Sequence, residues 1–208
     1  MKLRVVLSIA VMLVSLNTWA ANLQVEMKTN AGNVIIELYP DKAPKTVHNF
    51  LEYVKSGFYK GTVFHRVIHN FVVQGGGLTP ELQPKPTLDP IPNEATNGLK
   101  NERGTLAMAR AYDPNSATAQ FFINLDSNKF LNHYKPEPDY YGYCVFGKVV
   151  KGMEVMDKIA SRPTGAVGPF TSDVPLEPII IEDVSLVKQV AEAPSSSKKS
   201  RKQRKAHG

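Results

Sequence analysis

The run Val63-Phe64-His65-Arg66-Val67-Ile68 holds a charge where the surrounding residues ask for none. Its β-branched and aromatic residues read as a strand, and alternation puts Arg66 on the same face as Phe64 and Ile68. A guanidinium among apolar side chains must be paired, or must point into a cleft as a hydrogen-bond donor. Periodicity alone leaves both open, and a structural ion pair is the plainer of the two. Gln74 ends the next apolar run, Phe71-Val72-Val73, in much the same way.

The other reactive residue types offer less. His65 and His69 are four apart, the spacing that shares a metal on a helix. In a β pattern those four residues span about 13 Å, too far for a common ion. His48 lies on a helical pattern with no histidine or cysteine four residues away, His133 falls in a polar loop and His207 in the tail. No metal site is expected. Cys144 stands between Tyr143 and Val145 with no basic neighbour to lower its pKa, so a buried, unreactive thiol is expected. Being the only cysteine, it excludes an intramolecular disulfide. Gly75-Gly76-Gly77 lacks the following Lys-Ser/Thr of a phosphate loop and is read as a backbone device. There is no Gly-x-Ser-x-Gly elbow and no acid pair of glycosidase type.

The elements that must position Arg66 and Gln74 are mostly short strands. Alternating runs fall at Leu23–Thr29, Asn33–Tyr39, Thr62–Ile68, Phe71–Gln74, Thr105–Ala109, Gln120–Leu125, Tyr141–Val150 and Ile179–Val187. Asn30-Ala31-Gly32 supplies a hairpin turn between the first two. One helix starts at Pro44 and puts Val47, Phe50, Leu51 and Val54 on a single stripe, with Gly57 as its stop. A second runs from Met153 to about Ala160 and buries Met153, Met156 and Ile159. Leu78–Asn93, with five prolines, reads as a long surface loop able to form a functional rim. Many short antiparallel strands with two distant helices predict a mainly β fold, a closed barrel with capping helices.

The chain has 208 residues and a formal charge of +6, but the charge sits at the ends. Residues 1–20 carry Lys2, Arg4 and an apolar run from Val5 to Val14, followed by small residues at Ala20 and Ala21. This is the pattern of a signal peptide cleaved after Ala20. An uncleaved anchor is the competing reading, although the run falls short of the roughly 20 residues a span needs. Residues 191–208 turn to Ala/Pro/Ser and then Lys198, Lys199, Arg201, Lys202, Arg204 and Lys205, a basic tail expected to be disordered. The body at 21–190 then holds more acids than bases, which argues against a nucleic-acid-binding domain.

With these elements in place, the sequence resembles the cyclophilins, a family of peptidyl-prolyl cis-trans isomerases. The resemblance rests on Phe64-His65-Arg66-Val67-Ile68 leading to Phe71-Val72-Val73-Gln74-Gly75-Gly76, and on Gly104-Thr105-Leu106-Ala107-Met108-Ala109. It continues through Ala119-Gln120-Phe121-Phe122-Ile123, Phe130-Leu131 and Val145-Phe146-Gly147-Lys148-Val149. It extends from about Leu23 to Lys188 and is nearest to the bacterial periplasmic branch. It implies an eight-stranded antiparallel barrel closed by two helices, with Arg66 as the catalytic residue. Phe71, Val72, Phe122 and Leu131 match the pocket for the substrate proline ring. Gln74 and Ala109 match groove-lining positions, with Met108 and Gln120 beside them. Phe130 and Tyr143 fall where many eukaryotic members have tryptophan and histidine.

Three departures stand out. His69-Asn70 replaces the usual Pro-Gly before the pocket phenylalanine, Val72 replaces a methionine, and Phe130 lacks an indole N–H. Strong binding of the macrocycle cyclosporin is therefore not expected. The resemblance implies a monomer that needs no cofactor and acts on proline-containing, unfolded or partly folded exported proteins in the periplasm, assisting their folding. The basic tail is read either as a solvated terminus or as a contact with anionic envelope surface. A module that holds proline-containing segments without turnover is the alternative function.

Overall fold

The computed structural model describes residues 23–187. The signal peptide expected at 1–20 and the tail expected at 191–208 lie outside the described residues. Eight strands close into an antiparallel barrel: β1 (Gln24–Thr29), β2 (Gly32–Leu38), β3 (Thr62–Ile68), β4 (Val72–Gly75), β5 (Thr105–Met108), β6 (Phe121–Asn124), β7 (Val145–Lys151) and β10 (Ile180–Leu186). Around the barrel they run β1-β10-β3-β4-β6-β5-β7-β2. Each of the eight alternating runs in the sequence corresponds to one of them. The run expected from Tyr141 enters the sheet only at Val145, because the preceding residues belong to a loop. A separate hairpin of β8 (Thr164–Val167) and β9 (Phe170–Pro175) was not legible in the sequence.

The barrel interior is the main core. Phe50, Tyr59, Phe64, Phe121 and Phe146 are almost completely buried there. Phe50 comes from helix α1 (Pro44–Lys55), and its ring lies 5.2 Å from Tyr59 and 5.3 Å from Phe146. Burying one such ring contributes roughly 2–3 kcal/mol. Helix α2 (Met153–Ala160) adds Met156 and Ile159 to the same cluster, with Met153 only partly buried.

Helix α1 has no side-chain cap of its own, since Ala43 stands at that position. Glu94, from the far end of the proline-rich loop, takes over. Its carboxylate accepts from the Lys45 and Thr46 N–H groups at 3.1 and 2.8 Å and from the Thr46 hydroxyl at 2.7 Å. It thereby satisfies donors the helix cannot, and it places negative charge at the helix's positive end.

Candidate active site

Strands β3 and β4 do not pair residue for residue. Phe64 lies opposite Gly75, but Arg66 lies opposite Gln74, so His65 is an extra residue in the ladder. A bulge of this kind turns the strand and changes which face the following side chains occupy. Phe64 points into the barrel core with Val67, Val73, Phe121 and Ile123. Arg66 instead shares the outer face with Ile68, Val72, Gln74 and Phe122. The expectation that Arg66 shares a face with both Phe64 and Ile68 is therefore corrected. It holds for Ile68 and fails for Phe64, because plain alternation does not survive the bulge.

On that outer face a groove of about 260 Å³ is lined by Arg66, Phe71, Val72, Gln74, Ala109, Arg110, Phe122, Leu131 and Tyr143. It is smaller than the roughly 300–1,000 Å³ pockets of drug-sized ligands and suits a residue or two of polypeptide. Its floor is a compact apolar cluster of Val72, Ala107, Phe122, Leu131 and Val145, distinct from the barrel core. Arg66 stands over one side, half-buried, with Cζ 5.8 Å from the Phe71 ring centre. Its Nη1 donates to Gln74 Oε1 at 3.3 Å, and Gln74 Nε2 donates to Gln120 Oε1 at 3.2 Å. Arg66 makes no ion pair with any described residue, so the plainer sequence reading does not hold.

The turn before Phe71 carries His69-Asn70. The Phe71 N–H donates to the Ile68 carbonyl at 3.1 Å, and Asn70 takes φ +56°. Asparagine tolerates this left-handed geometry better than other side chains, so it serves where glycine usually would. The glycine triplet works through close approach. A Cβ on Gly77 would stand 2.4 Å from Gln120 Cγ, so the bare backbone gives Gln120 its place beside Gln74.

Two side-chain groups that support the groove were not singled out in the sequence, one behind it and one on its wall. Asn101, Asn124 and Asn128 are all buried and bonded to one another through their side-chain amides, at 3.2 Å for Asn124–Asn101 and 2.8 Å for Asn128–Asn124. From this network Asn128 Nδ2 donates to the Phe71 carbonyl at 3.0 Å, and Asn101 Nδ2 to those of Leu131 and Tyr143 at 3.1 and 3.3 Å. Three walls of the groove thus hang on one polar cluster. Asn124 ends the apolar strand Phe121-Phe122-Ile123, the same kind of anomaly that drew attention to Arg66. The second is Arg110, whose guanidinium donates to the carbonyls of Gly142, Ala111, Tyr112 and Pro138. It lies 4.8 Å from the Tyr143 ring centre and ties the 132–142 loop to the groove.

Of the site residues read from the sequence, Arg66, Phe71, Val72, Gln74, Ala109, Phe122, Leu131 and Tyr143 come together on the groove wall. Gln120 joins through its bond to Gln74. Phe130 is at the rim, 74% exposed, its ring stacked 5.6 Å from Phe71. Met108 is the exception and a correction: it turns into the barrel core opposite Phe121, and lines only a narrow neighbouring crevice with Thr46 and Cys144.

Burial keeps His65 and Cys144 out of the chemistry. His65 packs on Phe170 at 5.8 Å with no hydrogen-bond partner for Nδ1, and burial, helped by the adjacent Arg66 charge, lowers its pKa to about 4. Burial pushes the Cys144 thiol up to about 11, which makes it a poor nucleophile. Among the described residues no three His, Cys, Asp or Glu side chains are grouped to hold a metal.

The site is thus an apolar groove on the outer wall of a closed antiparallel barrel with two helices, with Arg66 at its edge and Arg110 tied to loop carbonyls beside it. Residues 24–186 match the family described as cyclophilin type peptidyl-prolyl cis-trans isomerase. The chain is 54% identical to peptidyl-prolyl cis-trans isomerase B of Escherichia coli over 162 residues, 78% of this chain and 98% of that protein. It is 53% identical to an isomerase of Streptomyces antibioticus over 163 residues, again 78% and 98%. A crystal structure of a Cryptosporidium parvum cyclophilin, obtained in the presence of the dipeptide Ala-Pro, matches with TM-score 0.68 at 32% identity, covering 80% of this chain and 99% of that one. The chain belongs to the cyclophilin-type peptidyl-prolyl cis-trans isomerases, and its activity is cis-trans isomerisation of peptide bonds preceding proline.

Proposed function

We propose that Arg66 is the catalytic residue and that it acts on the twisted form of the Xaa-Pro bond. Rotation is slow because amide resonance must be lost, at a cost of about 18–20 kcal/mol. A million-fold acceleration asks for about 8 kcal/mol of binding confined to the transition state. As the bond twists, the proline nitrogen becomes pyramidal and exposes a lone pair that the planar amide does not offer. A guanidinium beside the ring can donate to that lone pair or to the neighbouring carbonyl oxygen, and so favours the twisted state. Phe71, Val72, Phe122 and Leu131 hold the ring, while Gln74, Gln120 and the backbone at Ala109 anchor the flanking chain. No covalent step, proton relay or metal is called for.

The observation that carries this reading is the half-buried Arg66 guanidinium at the edge of the apolar groove, hydrogen-bonded to a neutral amide and with no counter-ion among the described residues. The test is cis-trans exchange of a short Ala-Xaa-Pro-Phe peptide by NMR, with residues 21–208 beside Arg66→Ala. Enhanced exchange that largely disappears in the variant supports the assignment. Peptide line-broadening without enhanced exchange would leave only a proline-binding module.

Residues 1–20 support export to the periplasm, where proline-containing, unfolded or partly folded proteins are the substrates and folding is the process assisted. N-terminal sequencing of the mature protein, starting at Ala21, and cell fractionation test this. The basic run Lys198–Lys205 supports contact with anionic envelope surface. Loss of binding to anionic vesicles at low salt on removing residues 194–208 is the expected result.

A further inference from the structure

The loop 132–142 leaves Leu131 and returns at Tyr143, so both of its ends are walls of the groove. It is closed on itself. The Tyr143 N–H donates to the Leu131 carbonyl, that of Tyr134 to Tyr140 and that of Tyr140 to Glu137, each at 2.9 Å. His133 Nδ1 lies 2.8 Å from the Tyr141 carbonyl oxygen. Gly142, at φ +78°, packs so tightly that a Cβ would stand 2.4 Å from the His133 nitrogen. Arg110 pins the loop from the groove side through the Pro138 and Gly142 carbonyls, at 2.8 and 3.1 Å.

A loop held this firmly nonetheless turns aromatic surface to solvent. Tyr134 is 81% exposed and Tyr140 49%, their rings 6.3 Å apart. Lys135 covers Tyr140 at 4.2 Å from its ring centre and pairs with Glu137 at 2.7 Å, which leaves the exposed Asp139 as the loop's one net negative charge. At the groove rim, exposed Phe130 stacks on Phe71 and adds a further aromatic surface beside Leu131, from which the loop departs. Rigid, exposed aromatic side chains give contact area at low cost in conformational entropy, the property binding surfaces exploit.

We propose that Tyr134 and Tyr140 form a second contact surface for the polypeptide whose proline occupies the groove, and that this surface selects segments with an aromatic or large apolar residue flanking the proline. The occupant is the same bound chain, because loop and groove share Leu131, Tyr143 and the Arg110 clamp. The inference rests on the isomerase reading and adds what the substrate carries beyond its proline.

The test measures kcat/KM by NMR exchange for ten-residue peptides around one Ala-Pro pair, identical except for Phe or Ser at each flanking position in turn. At one or more positions Phe is expected to exceed Ser by about three- to ten-fold, the size of an aromatic contact. In Tyr134→Ser/Tyr140→Ser that ratio is expected to fall to about one, and the amide signals of residues 133–141 in the native protein should shift with the Phe peptide and not with its Ser counterpart. Phe/Ser ratios near one at every position in the native protein overturn the inference while leaving the isomerase intact. So does a ratio that the double variant leaves unchanged, or an absence of shifts in the loop. If no peptide at all is exchanged, the isomerase reading fails first and takes this inference with it.

Discussion

Arg66 and Gln74 face each other across the β3–β4 ladder, the guanidinium donating to the amide oxygen over 3.3 Å, because His65 is one residue too many for that ladder. Gln74 passes the constraint on to Gln120, and Gln120 rests on the bare backbone of Gly77. One N–H of Arg66 is thus committed to orientation, which leaves the rest of a planar fork to meet a substrate.

Replacing that fork by a point charge should be costly even though the charge is kept. Arg66→Lys is expected to lower kcat/KM for peptide exchange by about 10²–10³-fold, the loss typical of a transition-state donor removed from position. Because Arg66 makes no ion pair with any described residue, the variant's thermal midpoint should hardly move. A variant retaining more than a tenth of the activity would remove Arg66 from the central role.

Gly77→Ala tests the far end of the same chain. The new methyl would need the space of Gln120 Cγ, 2.4 Å away, and a flexible side chain yields more readily than backbone. Stability should therefore fall by only about 1 kcal/mol. Exchange activity is expected to drop several-fold as the Gln74–Gln120 bond is lost. Unchanged activity at equal stability would show that Gln120 does not help hold Gln74.

His65 makes the fold sensitive to acid. Its pKa is about 4 in the native state against an ordinary value of 6.5, so between those limits the unfolded chain binds the proton and the native chain does not. Stability contributed by the neutral ring is present above pH 6.5 and is lost as pH falls, by about 2 kcal/mol at pH 5. His65→Phe, which keeps a ring against Phe170 and removes the unpartnered nitrogen, should flatten the denaturation midpoint between pH 7 and 5. Equal slopes in both proteins would assign the acid sensitivity elsewhere.

Cys144 should be silent in the native protein. With its pKa near 11 and the side chain almost fully buried, iodoacetamide at pH 8 is expected to leave it unmodified, and to label it within minutes once guanidinium unfolds the chain. Rapid labelling of native protein would mean that the neighbouring strand opens readily.

The sequence signalled the barrel most clearly in β1 and β2, which bury every second side chain, whereas β5 and β6 are buried throughout, Ala107 and Phe122 lying under the groove, and showed only as short apolar runs. The β8–β9 hairpin had no such signal. Its first strand is largely exposed, and the hairpin is held by Phe170 and Val174 packing on Val63 and Leu82, partners some eighty residues or more away. The bulge at His65 was hidden for a similar reason: nothing in Phe64-His65-Arg66 marks one residue as surplus until β4 is laid beside it. The groove's apolar floor was legible through resemblance. Its polar scaffold was not, because Asn101 lies 23 residues from Asn124, and Asn124 and Asn128, four apart, read as an ordinary strand end and loop. Arg110 gave no warning either, since its four acceptors are backbone carbonyls that any sequence provides.

The distance along the chain from Thr46 to Glu94 sets an order of events during folding. The first helix begins with N–H groups that only a carboxylate 48 residues later will satisfy. Until the chain through Glu94 has been made and has looped back, that end of the helix stays open to water and frays. The delay is the slow closure of a long loop and not the fast growth of a helix. An early fragment ending before Glu94 would thus carry the stripe of Val47, Phe50 and Val54 without a finished helix to display it.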